Sequence, residues 1–128
     1  MDITAINKRS GEVVDAAMRV HTAVGPGLME SAYEAFLAHE LQKRGFRVAT
    51  QLALPVVYDG VRVELGYRID LLVDDVVIVE LKAIAKLLPI HEAQLLSYLR
   101  LSGCPVGLLI NFHARHLKDG INRMRNDW

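Results

Sequence analysis

Two apolar stretches in the middle of the chain carry charges that a buried strand would not tolerate without a reason. Glu80 and Lys82 interrupt Val76-Val77-Ile78-Val79-Glu80-Leu81-Lys82-Ala83, and Asp70 interrupts Tyr67-Arg68-Ile69-Asp70-Leu71-Leu72-Val73. Side chains alternate across a strand, so Glu80 and Lys82 share one face while Val79 and Leu81 point to the other. An ionised group in a low-dielectric interior is costly unless a partner or a metal compensates it. One account is structural: a Glu80–Lys82 pair at a strand end emerging into solvent, and an Asp70–Arg68 pair on the neighbouring strand. The other is chemical, two carboxylates and an ammonium gathered around a cation.

The choice turns on register. If the two runs are antiparallel neighbours, a plain two-residue loop at Asp74-Asp75 pairs Val73 with Val76 and sets Asp70 opposite Val79. Asp70 and Glu80 then lie on opposite faces. A loop with an odd count, or a bulge, pairs Asp70 with Glu80 and brings both carboxylates to one face. A shared cation requires the odd register.

Other elements must hold these strands. Apolar residues recur from Ile6 to Val24 at Val13, Ala17, Val20 and Val24, a helix stripe that Gly25-Pro26-Gly27 stops. A second helix is expected from about Leu28 to Arg44, with Ala32, Phe36, Leu37 and Leu41 inward and Gly45 as its stop. Leu52 to Tyr58 and Val61 to Leu65 read as a hairpin around Asp59-Gly60, with Pro55 marking an edge strand. The runs bearing Asp70 and Glu80 should form the sheet centre. Pro89 opens a third helix from about Ile90 to Leu101, stopped at Ser102-Gly103, and Val106 to Phe112 reads as a buried strand. The tail from His113 to Trp128 carries no clear element.

Composition bounds the rest. A chain of 128 residues, 52% hydrophobic, is expected to form a single domain over residues 1–128. Its 15 basic and 15 acidic residues cancel, so any polyanion site must be local. Cys104, the single cysteine, offers neither a disulfide nor a zinc site. Met1 to Ser10 lacks the apolar stretch of a signal peptide, and no apolar run approaches about 18 residues. A soluble cytoplasmic protein with no membrane partner is expected.

Asp70, a ten-residue step, and Glu80-Leu81-Lys82 together resemble the D…(D/E)xK signature of PD-(D/E)xK nucleases. The proline of that name is absent, and Gly66-Tyr67-Arg68-Ile69-Asp70 stands in its place. Gly27-Leu28-Met29-Glu30-Ser31-Ala32-Tyr33 is similar to the signature of the GxxExxY family, and Gln94-Leu95-Leu96-Ser97-Tyr98 resembles the QxxxY motif of nuclease domains in recombination and CRISPR-associated exonucleases. The four blocks span nearly the whole chain. The resemblance implies an α/β fold of the restriction-endonuclease-like αβββαβ type, a central mixed sheet of four or five strands flanked by helices. It further implies that Asp70, Glu80 and the Leu81 carbonyl hold Mg²⁺ or Mn²⁺, which would acidify a water and neutralise charge on a scissile phosphate of DNA or RNA. Lys82 would orient that water or stabilise the transition state.

Glu30 sits in the first turn of the second helix, within reach of the cluster through water or a second ion, with Tyr33 one turn on and facing the same way. Helix-dipole compensation is the plainer account of Glu30. Gln94 and Tyr98 are four apart and project together, Gln94 toward a metal water or phosphate, Tyr98 toward the core. His91 and Glu92 are left out of the site, a histidine at a helix start being more often a cap. Arg115, Lys118, Arg123 and Arg125 make a modest basic excess that suits phosphate contact or a plain solvated surface. The reading is a metal-dependent nuclease. Against it stand a non-catalytic nucleic-acid- or protein-binding module and a partner-dependent subunit, with a homodimer compatible with a chain of this size.

Overall fold

The computed structural model describes residues 1–127, so Trp128, the end of the unassigned tail, lies outside the described residues. The chain opens with helix α1 (Ile3–Val24), which begins where the Asp2 carboxylate accepts a hydrogen bond from the Ala5 N–H at 2.8 Å. Val13, Ala16, Ala17 and Val20 are buried along one stripe, whereas Val24, the last helical residue before Gly25 at φ +79, is exposed. Helix α2 (Glu30–Lys43) follows. It is shorter at both ends than expected, and Phe36 is exposed rather than inward. Tyr33, Leu37 and Leu41 form its buried stripe instead.

Tyr33 corrects a second expectation. Its ring does not follow Glu30 outward but enters the core, stacked on Phe112 with centroids 4.5 Å apart. The hydroxyl donates to the Gly25 carbonyl and accepts from the Leu28 N–H, so it ties down the turn that launches α2.

Strand β1 (Val48–Ala53) runs along the sheet edge. Pro55 ends it rather than sitting inside it, since a proline N cannot continue the ladder. The expected Asp59-Gly60 turn does form a hairpin, but of two short strands, β2 (Val56–Tyr58) and β3 (Val61–Val63), in a small sheet of their own. Strands β4 (Arg68–Val73) and β5 (Val77–Lys82), helix α3 (Pro89–Ser102) and strand β6 (Val106–Asn111) complete the expected series. The tail adds a 3-10 turn at Leu117–Gly120 and an edge strand, β7 (Ile121–Arg125). That strand mixes half-buried residues with two exposed arginines, a weak apolar signal.

The main sheet has five strands in the order β1-β4-β5-β6-β7, antiparallel except for the parallel β5–β6 pair. This is the mixed α/β architecture expected. One core lies between α1, α2 and the face bearing Leu71, Val73, Val79, Leu81 and Leu108. A second lies under α3, where Ile78, Leu95, Leu99 and Leu109 meet. Val77 and Val79 belong to the first core and Ile78 to the second, so strand alternation places Glu80 and Lys82 on the α3 face. No described helix is long and apolar enough to cross a membrane.

Removing the Tyr33 hydroxyl leaves the turn before α2 short of two hydrogen bonds while sparing the ring stack. Tyr33→Phe is therefore expected to lower unfolding free energy by about 1–2 kcal/mol. Urea denaturation checks this, and an unchanged midpoint would show that the hydroxyl does not hold the turn.

Candidate nuclease-type site

The β4–β5 connection decides which face Asp70 occupies. Val73 pairs with Val77, leaving three residues, Asp74, Asp75 and Val76, in the turn. Asp74 and Asp75 both adopt left-handed backbone, at φ +52 and +58, a conformation that aspartate tolerates better than most residues. The Asp74 carboxylate is fixed from two sides, by the Arg47 N–H at 2.9 Å and by Arg9 Nε at 3.0 Å. The register then runs through Leu72↔Ile78 and Leu71↔Val79, and its next step sets Asp70 opposite Glu80 on one face. This is the odd register.

At that step the backbone ladder gives way to side chains. The Asp70 N–H donates to Glu80 Oε2 at 2.9 Å, and the Leu81 N–H donates to Asp70 Oδ2 at 2.9 Å. Each carboxylate thus serves the strand opposite its own, and the two are laced together across the gap. Neither structural alternative accounts for them: Arg68 donates to the Gln51 carbonyl at 3.3 Å, and Glu80 takes its bond from the Asp70 N–H rather than from Lys82.

Glu80 is only 5% exposed. Burial, and after it the Asp70 charge, push its carboxyl up to about 8. It therefore keeps a proton at neutral pH unless a cation takes the proton's place. Burial and Asp70 also raise Glu30, at the start of α2, while the charge of Lys82 lowers it. Glu30 and Lys82 are thus electrostatic neighbours of the pair, although Glu30 itself is exposed. Tyr98, 5% exposed, packs edge-on to Tyr67 at 6.2 Å in the core under α3. Its phenol is pushed up to about 12 by burial and then by the charges of Glu80 and Asp70. Gln94 is half-buried one turn earlier and lines a groove with Tyr67 and Tyr98. His91 Nδ1 accepts the Leu88 N–H at 2.9 Å, the capping part expected of it.

Two amides that the sequence did not single out shape this end of the sheet. Gln51 Nε2 donates to Asp70 Oδ1 at 3.0 Å and also to Glu34, one turn along α2 from Glu30. Its backbone stands at φ +49 inside β1, a strained setting for a non-glycine residue beside a candidate site. Asn111, 4% exposed at the end of β6, donates to the Ile84 carbonyl and accepts from the Ile84 and His113 N–H groups. With the Phe112 N–H on the Lys82 carbonyl at 2.8 Å, it fixes the chain just beyond Lys82. The only sequence signal for either is an amide next to a strand.

A family model described as the PD-(D/E)XK nuclease superfamily matches residues 7–124. No match was found among curated proteins or among solved structures. The five-stranded mixed sheet with its flanking helices is of the restriction-endonuclease-like type, and the chain belongs to the PD-(D/E)XK nuclease superfamily. Membership points to a nuclease-like function on nucleic acid, and nucleases of this superfamily generally use divalent metals.

The donor chemistry fits such an ion. Asp70 and Glu80 offer oxygen ligands of the hard type that Mg²⁺ and Mn²⁺ prefer, and a buried carboxyl that holds a proton beside a second carboxylate has room for positive charge. Among the described residues no group of three His, Cys, Asp or Glu side chains converges to hold an ion alone. A cation here would complete its shell with a carbonyl and waters, the manner in which Mg²⁺ is usually held.

The raised carboxyl of Glu80 has a consequence for stability. Its pKa in the folded chain, about 8, exceeds the ordinary 4.5, so the folded state binds this proton more tightly than the unfolded state. The resulting stabilisation is complete below pH 4.5 and is lost as pH rises toward 8. In EDTA, Glu80→Gln should be more stable than wild type at pH 8 by at least about 1.4 kcal/mol, the value of one pH unit. Melting curves at pH 5 and pH 8 test this, and a wild type whose loss of stability between them matched that of Glu80→Gln would contradict it.

Proposed function

We propose that the chain is a single-domain, divalent-metal-dependent nuclease of the GxxExxY family, cleaving phosphodiester bonds of DNA or RNA. The observation that carries this reading is the lacing of Asp70 and Glu80 on one sheet face, with Lys82 on the same face, in a member of a nuclease superfamily. Asp70, Glu80 and the Leu81 carbonyl would hold Mg²⁺ or Mn²⁺. When bound, the ion would supply positive charge at the scissile phosphate and acidify the attacking water.

The remaining work falls to the chain. Lys82, on the same sheet face, donates to a phosphate oxygen or positions the water. Glu30 adds a third acid at the rim and orients water there. Gln94 contributes a neutral amide that can accept from water and donate to phosphate without adding charge. Gln51 holds one oxygen of Asp70 so that the carboxylate keeps a fixed orientation.

A cleavage screen over single- and double-stranded DNA and RNA, with Mg²⁺ or Mn²⁺, is the direct test. Wild type should cleave at least one of the four, and Lys82→Met should abolish cleavage while leaving nucleic-acid affinity nearly intact. Thermal unfolding with and without Mg²⁺ separates this from a structural role. A loss of about 3–5 kcal/mol in Lys82→Met that Mg²⁺ does not restore, beside a wild type that cleaves nothing, would make the chain a binding module.

The metal assignment has its own measurement. Titration calorimetry should detect Mn²⁺ binding to wild type and lose it in both Asp70→Asn and Glu80→Gln. Equal binding by all three would put the ion elsewhere.

A further inference from the structure

Beside the acids, helix α3 and the β2–β3 hairpin enclose a groove of about 740 Å³. Tyr98 forms part of its lining and joins it to the acidic cluster, since it packs in one buried cluster with Ile78, which shares its face of β5 with Glu80. Tyr67 stands edge-on to Tyr98, and outward from them the lining continues through Val57, Tyr58 and Ile90. Tyr58 is 81% exposed and Ile90 66% exposed, so apolar and aromatic surface lies open to water. The hairpin that carries Tyr58 forms a separate two-stranded sheet, an element of marginal stability on its own.

We propose that this groove receives the bases of an unpaired nucleic-acid strand and feeds it to the site at Asp70 and Glu80, with Tyr58 and Tyr67 as stacking platforms. The proposal rests on the nuclease reading above and deepens it by naming the substrate class.

The argument is one of chemistry matched to surface. A duplex hides the faces of its bases and presents phosphates, so proteins that grip it rely on clustered lysine and arginine. This chain has no net charge, and most side chains lining the groove are apolar or aromatic. An unpaired strand shows its bases, which stack on aromatic rings with little regard to sequence. A strand lying in the groove would have bases against Tyr58 and Tyr67 while its backbone continues past Tyr98 toward the acids. The stacking rings and the acids thus lie along one path.

Binding can be read without cleavage. Fluorescence anisotropy in EDTA, with the full chain and a labelled unpaired oligothymidylate of about 16 nucleotides, measures the groove alone. Tyr58→Ala and Tyr67→Ala should each weaken binding by about fivefold or more, the least expected for loss of one stacked base. Tyr58→Trp should retain it, and a blunt duplex should bind more weakly than the single strand and be indifferent to these changes. Tyr58 is exposed, and a melting curve equal to wild type certifies the fold.

Unchanged affinity in Tyr58→Ala and Tyr67→Ala would overturn the proposal, as would a duplex that binds more tightly than the strand. So would a wild-type chain that sediments as a dimer and a Tyr58→Ala chain that sediments as a monomer, for the groove would then be a subunit contact. A strand held through Tyr58 but never cut with Mg²⁺ would leave the groove standing and remove the nuclease reading. A duplex cut equally fast by wild type and Tyr58→Ala would do the reverse.

Discussion

A single residue in the β4–β5 turn separates two different proteins. With Asp74 and Asp75 alone in the loop, Asp70 would lie on the far face from Glu80, among the residues that pack beneath α1 and α2. Val76 added to the turn moves Asp70 by one position and therefore to the other face. Two aspartates in left-handed backbone make the longer turn feasible, and Arg9 and Arg47 hold it closed. Arg9 comes from the first helix, so the register at the site depends on how α1 docks.

Once the register is set, the two carboxylates must be accommodated where the sheet is dry. They take backbone N–H groups that the ladder would otherwise have satisfied, which lowers the cost of their desolvation but not their mutual repulsion. What remains of that cost, burial first and then the Asp70 charge, appears as the raised carboxyl of Glu80. Around this point the fold is tied by long-range amides. Gln51 reaches Asp70 from the sheet edge, and Asn111 clamps the chain after Lys82 from the neighbouring parallel strand. The strained backbone of Gln51 is consistent with a position selected for where its amide points.

How much of this the sequence discloses follows from the range of the interactions involved. Charges inside apolar strands are visible locally, which is why Asp70, Glu80 and Lys82 stand out without any structure. The Asp59-Gly60 turn and the proline start of α3 are equally local. The register is different, because choosing between two and three turn residues needs Arg9 and Arg47, distant in sequence from Asp74. Gln51 and Asn111 escape for the same reason: a neutral amide is unremarkable until its partner, 19 or 27 positions away, is known. Tyr33 misled because residues one helical turn apart look alike in spacing, and only the turn at Gly25 and Phe112 decide that its ring goes inward. Strand β7 pairs along a sheet edge with its arginines in water, so the periodicity that marks a buried strand is absent.

Charge explains how the groove and the site divide their labour. Glu30, Asp70 and Glu80 outnumber Lys82, so a phosphate approaching them without a cation meets net negative potential even when Glu80 holds its proton. Affinity for a polyanion cannot arise at the acids themselves, and a neutral chain supplies no long-range pull to compensate. Contact with the uncharged parts of a nucleotide remains, and the aromatic lining between α3 and the hairpin, where Tyr67 meets Tyr98, would offer it. In the proposed reading, holding the base and neutralising the phosphate would be separate tasks on adjacent surfaces, the first performed by stacking and the second dependent on a cation.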